Sequence, residues 1–174
     1  MRPPGHTNKL KSALALDEKS SLEKFEVFRG LSGSDIDRII EAGIIRSVSG
    51  GKSLFRKGDV GKEVFLVLKG KVHLVDEYDK HKKVLAELQT GEFFGEMSMI
   101  EKVHIHSVHA IVKEPSQLLV LEDHVLNKLI DDKLPKRFLK NIIGVLCRRI
   151  HANKNMYMRA RYDDKSSKDV KWQG

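Results

Sequence analysis

The segment from residue 88 to residue 100, LQTGEFFGEMSMI, holds the residue types most able to do chemistry. Gly91 suits a turn, and Gly95 and Glu96 stand before Met97–Ile100, which we expect to form a single helical turn. Free N–H groups at a helix start favour anions, and a glycine lets a ligand approach the backbone closely. The carboxylate of Glu96 can accept hydrogen bonds from vicinal hydroxyls. The combination suits a sugar phosphate, although a turn with an exposed carboxylate better explains a Gly-Glu pair taken alone.

Other kinds of active site have no recognisable pattern in the sequence. It contains no Gly-x-Ser-x-Gly elbow, Cys-His pairing, phosphate-loop motif or pair of catalytic carboxylates. The single cysteine, Cys147, falls on the apolar face of a predicted helix, where a buried and unreactive thiol is expected. We therefore expect a protein that is not an enzyme.

The composition is that of one folded domain with tails. The chain has 174 residues, of which 40% are hydrophobic and 32% are charged. The longest apolar stretches, Phe65–Leu68 and Ile142–Cys147, are far shorter than the roughly 20 residues that span a bilayer. No membrane span is expected. One cysteine cannot form an intrachain disulfide and no signal-peptide core is visible, so the sequence predicts a cytoplasmic protein.

The net charge of +8 is concentrated at the C-terminal end of the chain. Residues 133–174 contain 12 Lys and Arg against three Asp, whereas residues 1–132 contain 20 basic and 21 acidic residues. Such a segment can attract nucleic acid, an acidic partner or anionic lipid. A solvated basic helix and tail is the simpler interpretation, and the sequence leaves these alternatives open.

Strand chemistry fills the middle of the chain, between Ser53 and Glu122. Short runs rich in Val, Leu, Ile and Phe are separated by glycines, and Lys69-Gly70 between two runs predicts a hairpin turn. Six or more short strands in this span favour an antiparallel barrel or jelly roll, because closing or doubling a sheet covers its edges. The expected class is mainly β with flanking helices. The predicted strands are Ser53–Arg56, Val64–Leu68, Lys71–Asp76, Lys83–Leu88, His106–Val112 and Gln117–Leu121.

Helical periodicity flanks the strands on both sides. It begins at Ser21, and a short helix is predicted at Ser34–Ala42 with Ser34 as its N-cap. It returns at His124–Ile130 and restarts at Pro135, running to about Arg159. The predicted organisation is a loose arm (residues 1–20), a domain with its C-terminal helix (residues 21–159) and a basic tail (residues 160–174).

The last predicted helix has a broad apolar face and a mostly basic opposite face. Its 25 or so residues would make it about 37 Å long, which is longer than a cover for a small barrel needs to be. Packing of this face on its own barrel is the default expectation, and pairing of part of it with a second copy is the alternative. The residues predicted for this lid or dimer face are Leu139, Ile142, Leu146 and Ile150.

Four segments together resemble the cyclic nucleotide-binding domain family, which catabolite-activator-type regulators, kinase regulatory subunits and gated channels share. The segments are FRGL at 28–31, LFRKGD at 54–59 with Gly61, VFLVLKGKV at 64–72 and LQTGEFFGEMSMI at 88–100. The resemblance runs from about Phe25 to Arg149 and implies an eight-stranded jelly roll, a double-stranded β-helix, with helices at both ends. It also implies that Gly95 and Glu96 hold the ribose and phosphate of a cyclic nucleotide, and that Glu96 takes the ribose 2′-hydroxyl. The expected ligand-binding residues are Phe94, Gly95, Glu96, Met97, Ser98, His104, His106 and Ser107.

The sequence departs from this family at the residue that should meet the cyclic phosphate. The family places an arginine about ten residues after the glycine, whereas residues 101–110 read EKVHIHSVHA. Our alignment puts His104 at the arginine position and Ser107 at the following hydroxyl, with Lys102 as a further cationic candidate. An imidazole is mostly neutral at pH 7, and losing one partner of a buried charge-assisted pair costs about 2–5 kcal/mol, roughly 30- to 4000-fold in affinity. We therefore expect weakened recognition of the phosphate of cAMP or cGMP, unless an arginine from elsewhere in the chain reaches this site.

Three histidines within six residues raise a metal site as a less favoured alternative. Jelly rolls of the cupin type hold metals with a His-x-His pair, and His104 and His106 have that spacing. Strand alternation places His109 on the opposite side, so at most two of the three would share a metal. No glutamate follows within Ala110–Val112, and no metal is assigned.

The resemblance leaves the output of the protein open. In family regulators of transcription a winged helix-turn-helix domain follows the long helix, whereas about 15 residues follow Arg159 here. Sequence-specific DNA binding is therefore not expected, although the basic end could meet phosphate backbones. The predicted function is that of a stand-alone regulatory sensor for a small-molecule ligand. The alternative is a ligand-free scaffold that forms a homodimer or docks onto an unknown protein partner.

Overall fold

The computed structural model describes residues 21–78, 81–97, 104–132 and 134–166, with side chains in the last helix described as far as Ala152. The predicted arm of residues 1–20 lies outside these ranges. A 3-10 turn at Glu26–Phe28 precedes helix α1 (Gly33–Ala42) and strands β1 (Ile44–Val48), β2 (Ser53–Phe55), β3 (Glu63–Tyr78), β4 (His81–Gln89), β5 (Phe93–Phe94) and β6 (His109–Glu122). Helices α2 (Asp123–Asp131) and α3 (Lys136–Ser166) follow. Among the described residues no helix is both long and apolar enough to cross a membrane.

All strand pairs are antiparallel, and two long strands form the spine of the roll. β3 pairs with β6 from Glu63 opposite Glu122 to Val75 opposite His109. The strand order is β1-β6-β3-β4, with β2 also on β6 and β5 also on β3. This arrangement confirms the predicted antiparallel roll with flanking helices.

The predicted hairpin at Lys69-Gly70 is wrong, because β3 continues through these residues. The register between β3 and β6 shifts three times around Gly70, which marks an irregular stretch inside one strand. Gly70 has φ +95°, and a Cβ there would lie 2.8 Å from the carbonyl oxygen of Pro115 on β6. The glycine therefore permits a close strand approach rather than a chain reversal. The two predicted strands His106–Val112 and Gln117–Leu121 are likewise parts of one strand, β6. This strand begins at His109 and not at His106.

Side-chain alternation along the long strands divides the core into two layers. Phe65 and Val67 of β3 point into the roll with Leu118 and Val120 of β6. The residues between them form the layer that the helices cover. That layer includes Leu66, Leu119, Leu121, Val27, Phe28, Ile36, Ile39, Ile40 and Phe138.

β1 is a strand that the sequence did not predict. Its residues Ile44–Val48 read IIRSV, a run without clear alternation. The strand pairs with the far end of β6, Ile44 opposite Val120 and Val48 opposite Ser116. This segment is therefore a strand because it pairs with the long strand β6, and not because of a pattern in its own sequence.

The helices lie near their predicted positions, with two differences. The N-cap of α1 is Ser32 and not Ser34, since the Ser32 side chain accepts a hydrogen bond of 3.2 Å from the backbone N–H of Asp35. α3 continues to Ser166, beyond the predicted end near Arg159. The start of α3 is fixed to the N-terminal region by Asn141, whose amide donates to the carbonyl oxygens of Val27 (3.1 Å) and Arg29 (3.0 Å).

Candidate functional site

Gly95 brings the backbone of the β5 loop directly against the beginning of β3. Its φ is +90°, and a Cβ at this position would lie 2.6 Å from the carbonyl oxygen of Glu63 and 3.2 Å from the ring of Phe65. Only glycine combines this conformation with this contact. Met97 begins a helix, and the rest of the predicted turn, including Ser98, lies outside the described residues. The local geometry therefore places Glu96 at a fixed point beside the roll.

Glu96 is a buried carboxylate, with 8% of the residue exposed. Burial is the largest influence on its pKa and raises it above the ordinary value for glutamate. A hydrogen bond from its own backbone N–H and the nearby charge of Arg149 act in the opposite direction. A buried acceptor of this kind is suited to hydrogen bonds from ligand hydroxyls, because solvent does not compete strongly for it.

A guanidinium does reach this corner from a distant part of the chain, and it comes from α3. Arg149 has Nη1 3.7 Å from Oε1 of Glu96, and its Nη2 donates to the carbonyl oxygen of Phe93 at 2.5 Å. The guanidinium lies over the Phe93 ring, 5.1 Å from its centroid, and Nη2 is 3.9 Å from the Glu92 carboxylate. Arg149 therefore connects the long helix to the candidate ligand site.

The sequence contained a signal for Arg149 that our interpretation did not use. Arg149 lies seven residues after Ile142 and eleven after Phe138, so it shares a helix face with side chains that pack on the core. A charged residue on a core-facing stripe needs a partner, and Glu96 together with the Phe93 carbonyl provides one. The adjacent Arg148 is exposed and pairs with Glu26 instead.

His106 lies in the wall of the same cavity as Gly95 and Glu96. Its ring stacks on Phe55, with centroids 3.5 Å apart and planes 7° from parallel, and the residue is 7% exposed. Burial lowers the pKa of the imidazole, while Asp59 and Glu63 raise it to a smaller extent. The cavity has a volume of about 50 Å³. It is lined by Phe55, Leu74, Phe94, Gly95, Glu96, Met97, His106, Ser107 and Val108.

His104 takes a different position from the one our alignment gave it. It is exposed, it does not line the cavity, and its φ of +48° places it in a left-handed turn before β6. Alternation along a strand therefore does not extend from His109 back to His104, and His106 is the histidine that faces the cavity. Lys102 lies outside the described residues. Within those residues no three His, Cys, Asp or Glu side chains form a group able to hold a metal ion.

The predicted lid or dimer face of α3 divides into two surfaces. Ile142 and Leu146 pack against the helix-covered core layer, and Leu139 is half-buried. Of the predicted residues only Ile150 is exposed (66%), and it forms, together with Ile143 (58% exposed) and Cys147, a surface that we call the outer stripe. The expectation that Cys147 is buried is therefore wrong, because the packed face of α3 is narrower than its apolar face.

Comparison with known proteins finds matches over much of the chain. The family model described as cyclic nucleotide-binding domain matches residues 45–133. The cyclic AMP receptor protein of Thermus thermophilus is 32% identical over 127 residues, which are 71% of this chain and 56% of that protein. Mouse cGMP-dependent protein kinase 2 is 26% identical over 84% of this chain and 20% of its own length. The crystal structure of the Thermus thermophilus catabolite activator protein superposes with a TM-score of 0.68 at 29% identity, covering 78% of this chain and 63% of that one. The chain thus spans little more than half of the first of these proteins and a fifth of the second.

Proposed function

The chain belongs to the cyclic nucleotide-binding domain family, and from that premise we propose that the surface beside Gly95 and Glu96 binds a cyclic nucleotide, cAMP, cGMP or a related compound, as a regulatory sensor. The observation that carries the proposal is the buried Glu96 carboxylate at the glycine turn, in contact with a guanidinium of α3. The carboxylate would accept hydrogen bonds from the ribose hydroxyl. Its link to α3 gives the ligand a route to a distant surface.

Phosphate recognition in this cavity is proposed to be weak. Among the described residues that line it, His106 is the sole side chain able to carry a positive charge. Arg149 is close, but its guanidinium already contacts Glu96, Glu92 and the Phe93 carbonyl. To meet a phosphate it would have to leave these partners, and exchanging one set of charge-assisted bonds for another adds little net affinity.

The proposed output is a shift of α3. A ligand hydroxyl bonded to Glu96 competes with the Arg149 contact, so occupied and empty sites favour different positions of the helix. The ligand can shift this equilibrium only by the difference in its affinity for the two arrangements. We place this activity in the cytoplasm, where a reducing environment suits the exposed thiol of Cys147.

Calorimetric titration with cAMP, cGMP and 2′-deoxy-cAMP tests the ligand assignment. We expect binding of cAMP or cGMP in the micromolar range or weaker, and a loss of roughly tenfold or more for the 2′-deoxy analogue and for Glu96→Gln. Glu87→Gln is the matched control, since Glu87 is an exposed carboxylate on the outer face of β4. Absence of heat with every nucleotide at millimolar concentration would contradict the proposal, and equal binding of the 2′-deoxy analogue would contradict the role of Glu96.

A second proposed property is homodimerisation through the outer stripe of α3. Ile143, Cys147 and Ile150 recur at helical spacing on a helix of 31 residues, and they are exposed in the single chain. If the cavity binds no nucleotide, the same surface supports the alternative of a ligand-free scaffold. Covering such a stripe with a second copy removes its apolar surface from water.

Sedimentation of Ile150→Asp tests this surface. We expect the dimer fraction to fall, because a carboxylate at the centre of an apolar interface loses hydration without gaining a partner. Val84→Asp, at an exposed apolar position on β4, should leave the mass unchanged. In the parent protein, mild oxidation should link two copies through Cys147. A parent that sediments as a monomer at all concentrations contradicts homodimerisation.

A further inference from the structure

The imidazole of His106 occupies the wall between two cavities. One is the 50 Å³ cavity beside Glu96, and the other is a larger cleft of about 540 Å³ at the beginning of β3. The backbone of His106 is fixed by two hydrogen bonds of 2.9 Å, one from its N–H to the carbonyl of Asp59 and one from the N–H of Gly58 to its carbonyl. The ring itself is stacked on Phe55, so both the backbone and the side chain of His106 have partners in the roll.

The charged groups around His106 determine what its ring can do. Asp59, on the turn before β3, and Glu63, on β3, raise its pKa, but burial outweighs them and lowers the pKa of the imidazole below its ordinary value. Glu96 lines the same small cavity. The remaining titratable groups line the larger cleft on the side of the β6–α2 junction and the turn before β3: Lys62, Glu122, Asp123 and His124.

These surroundings favour a side chain that becomes positively charged only when it takes up a proton, over a side chain that is always charged. Asp59 and Glu63 act to raise the pKa of His106, yet burial is the larger influence, so the surroundings favour the uncharged ring more than water does. An anion entering the cavity would add a third negative charge beside the ring. Each opposite charge within a few ångströms favours the imidazolium, and the sum of these effects opposes the burial penalty.

We infer that the ring of His106 is the group that meets the anionic oxygen of the ligand, and that the site takes up a proton from solvent when a cyclic nucleotide binds. This inference rests on the proposed function, since it assigns the anion partner within the same cavity. Ser107, which also lines the cavity, can donate a second hydrogen bond to the same anion. The nucleotide phosphodiester keeps a single negative charge throughout the neutral range, so any proton taken up belongs to the protein.

Because proton binding and ligand binding are linked, the protonation of His106 determines whether the ligand affinity rises or falls with pH. A ligand that prefers the protonated ring binds more tightly as the pH falls, by up to about tenfold per pH unit while the ring is neutral in the free protein and charged in the complex. Glu96 acts in the opposite direction at lower pH, because protonating its carboxyl removes the acceptor for the ribose hydroxyl. Affinity should therefore pass through a maximum on the acidic side of neutrality.

The test is calorimetry of the full chain with cAMP, or with cGMP if it binds more tightly, at pH 6 to 8 in pairs of buffers with different ionisation enthalpies. We expect the parent protein to take up a fraction of a proton at pH 6.5. His106→Gln should abolish this uptake and lose affinity at pH 6 while approaching the parent at pH 8. His106→Arg should also abolish uptake and should bind at least tenfold more tightly than the parent at pH 8. His109→Gln, at the next histidine along the chain, is the control and should keep the uptake.

Each outcome separates this inference from the proposed function. Binding by the parent without proton uptake, or unchanged uptake in His106→Gln, overturns the role of His106 and leaves nucleotide binding intact. No binding by either the parent or His106→Arg at any pH overturns both. If the substitutions at His106 unfold the chain, imidazole NMR of the parent decides the question. Addition of nucleotide must then raise the pKa of the one histidine whose resonance remains in the spectrum when each of the other seven histidines is replaced by Gln in turn.

Discussion

The two faces of α3 have different environments although they belong to one continuous helix: the inner face packs on the domain, and the outer stripe is exposed. The inner face carries Phe138, which stacks on Phe28 with ring centroids 6.4 Å apart, and Arg149, which reaches Glu96. The outer stripe carries Ile143, Cys147 and Ile150, which contact little of their own chain. Under the proposed function, a change at Glu96 can reach the outer stripe through Arg149, because Arg149 and the outer stripe belong to the same helix.

The largest expected effect comes from removing an aromatic ring on the inner face. Phe138→Ala should lower the free energy of unfolding by about 3–5 kcal/mol, because Phe138 is 4% exposed and its loss leaves a cavity between α3 and the 3-10 turn. Ile150→Ala, at a position 66% exposed on the outer stripe, should change it by less than about 0.5 kcal/mol in the monomer. Urea denaturation of both variants at low protein concentration measures the two changes in unfolding free energy. Similar losses would show that the inner face and the outer stripe contribute equally to stability.

An intermediate effect is expected for the arginine that joins α3 to the site. Arg149→Met keeps much of the stem but removes the hydrogen bond to the Phe93 carbonyl and leaves Glu96 without its cation. We expect a loss of about 1–3 kcal/mol of unfolding free energy. Nucleotide binding should also stop changing the environment of α3, which a fluorophore on Cys147 would report.

The neighbouring arginine supplies the control for that experiment. Arg148 is exposed and pairs with Glu26 at the surface, so Arg148→Met should cost less than about 1 kcal/mol and leave the ligand-induced signal intact. Equal losses for the two variants would mean that Arg149 acts only as a surface charge. A ligand-induced signal that survives Arg149→Met would place the coupling elsewhere.

Local sequence patterns predicted the strands of this fold better than its layers and connections. Val64–Leu68 was predicted as a strand, but all five of its residues are apolar, so the sequence did not show that Phe65 and Val67 point into the roll while Leu66 faces the helices. Lys69-Gly70 resembled a hairpin because a positive φ serves a turn and an irregular strand equally well. The structure is a continuous strand because β3 pairs with β6 on both sides of Gly70, and no local pattern contains that long-range pairing.

The same distinction applies to the site. Gly95 and Glu96 were identified because their chemistry is contained in adjacent residues. Arg149 was not identified, because its contact with Glu96 joins a loop to a helix far along the chain. His106 rather than His104 faces the cavity because the left-handed turn at His104 interrupts the alternation that sequence reasoning assumed.

The smallest expected effect concerns stability at the site itself, where function and folding make opposite demands on Glu96. Burial raises the pKa of Glu96 in the folded state, so the folded chain binds a proton here more readily than the unfolded chain does. The contribution of this group to stability is therefore fully present below the pKa of the unfolded state and is lost as the pH rises through the folded-state value.

Glu96→Gln should consequently be more stable than the parent at pH 7, by at most about 1 kcal/mol, and this advantage should disappear as the pH falls towards 4.5. His106 contributes with the opposite sign in both proteins, because its pKa is lowered, and so cancels in the difference. Glu87→Gln gives the reverse control: its pKa is lowered to about 2 by Lys71 and His73, so the parent should be the more stable protein above pH 4.5. Denaturation at pH 5 and pH 7 compares the three proteins. A Glu96→Gln variant that is less stable than the parent at both pH values would show that the Arg149 pair outweighs burial, and that the site stabilises the fold instead of straining it.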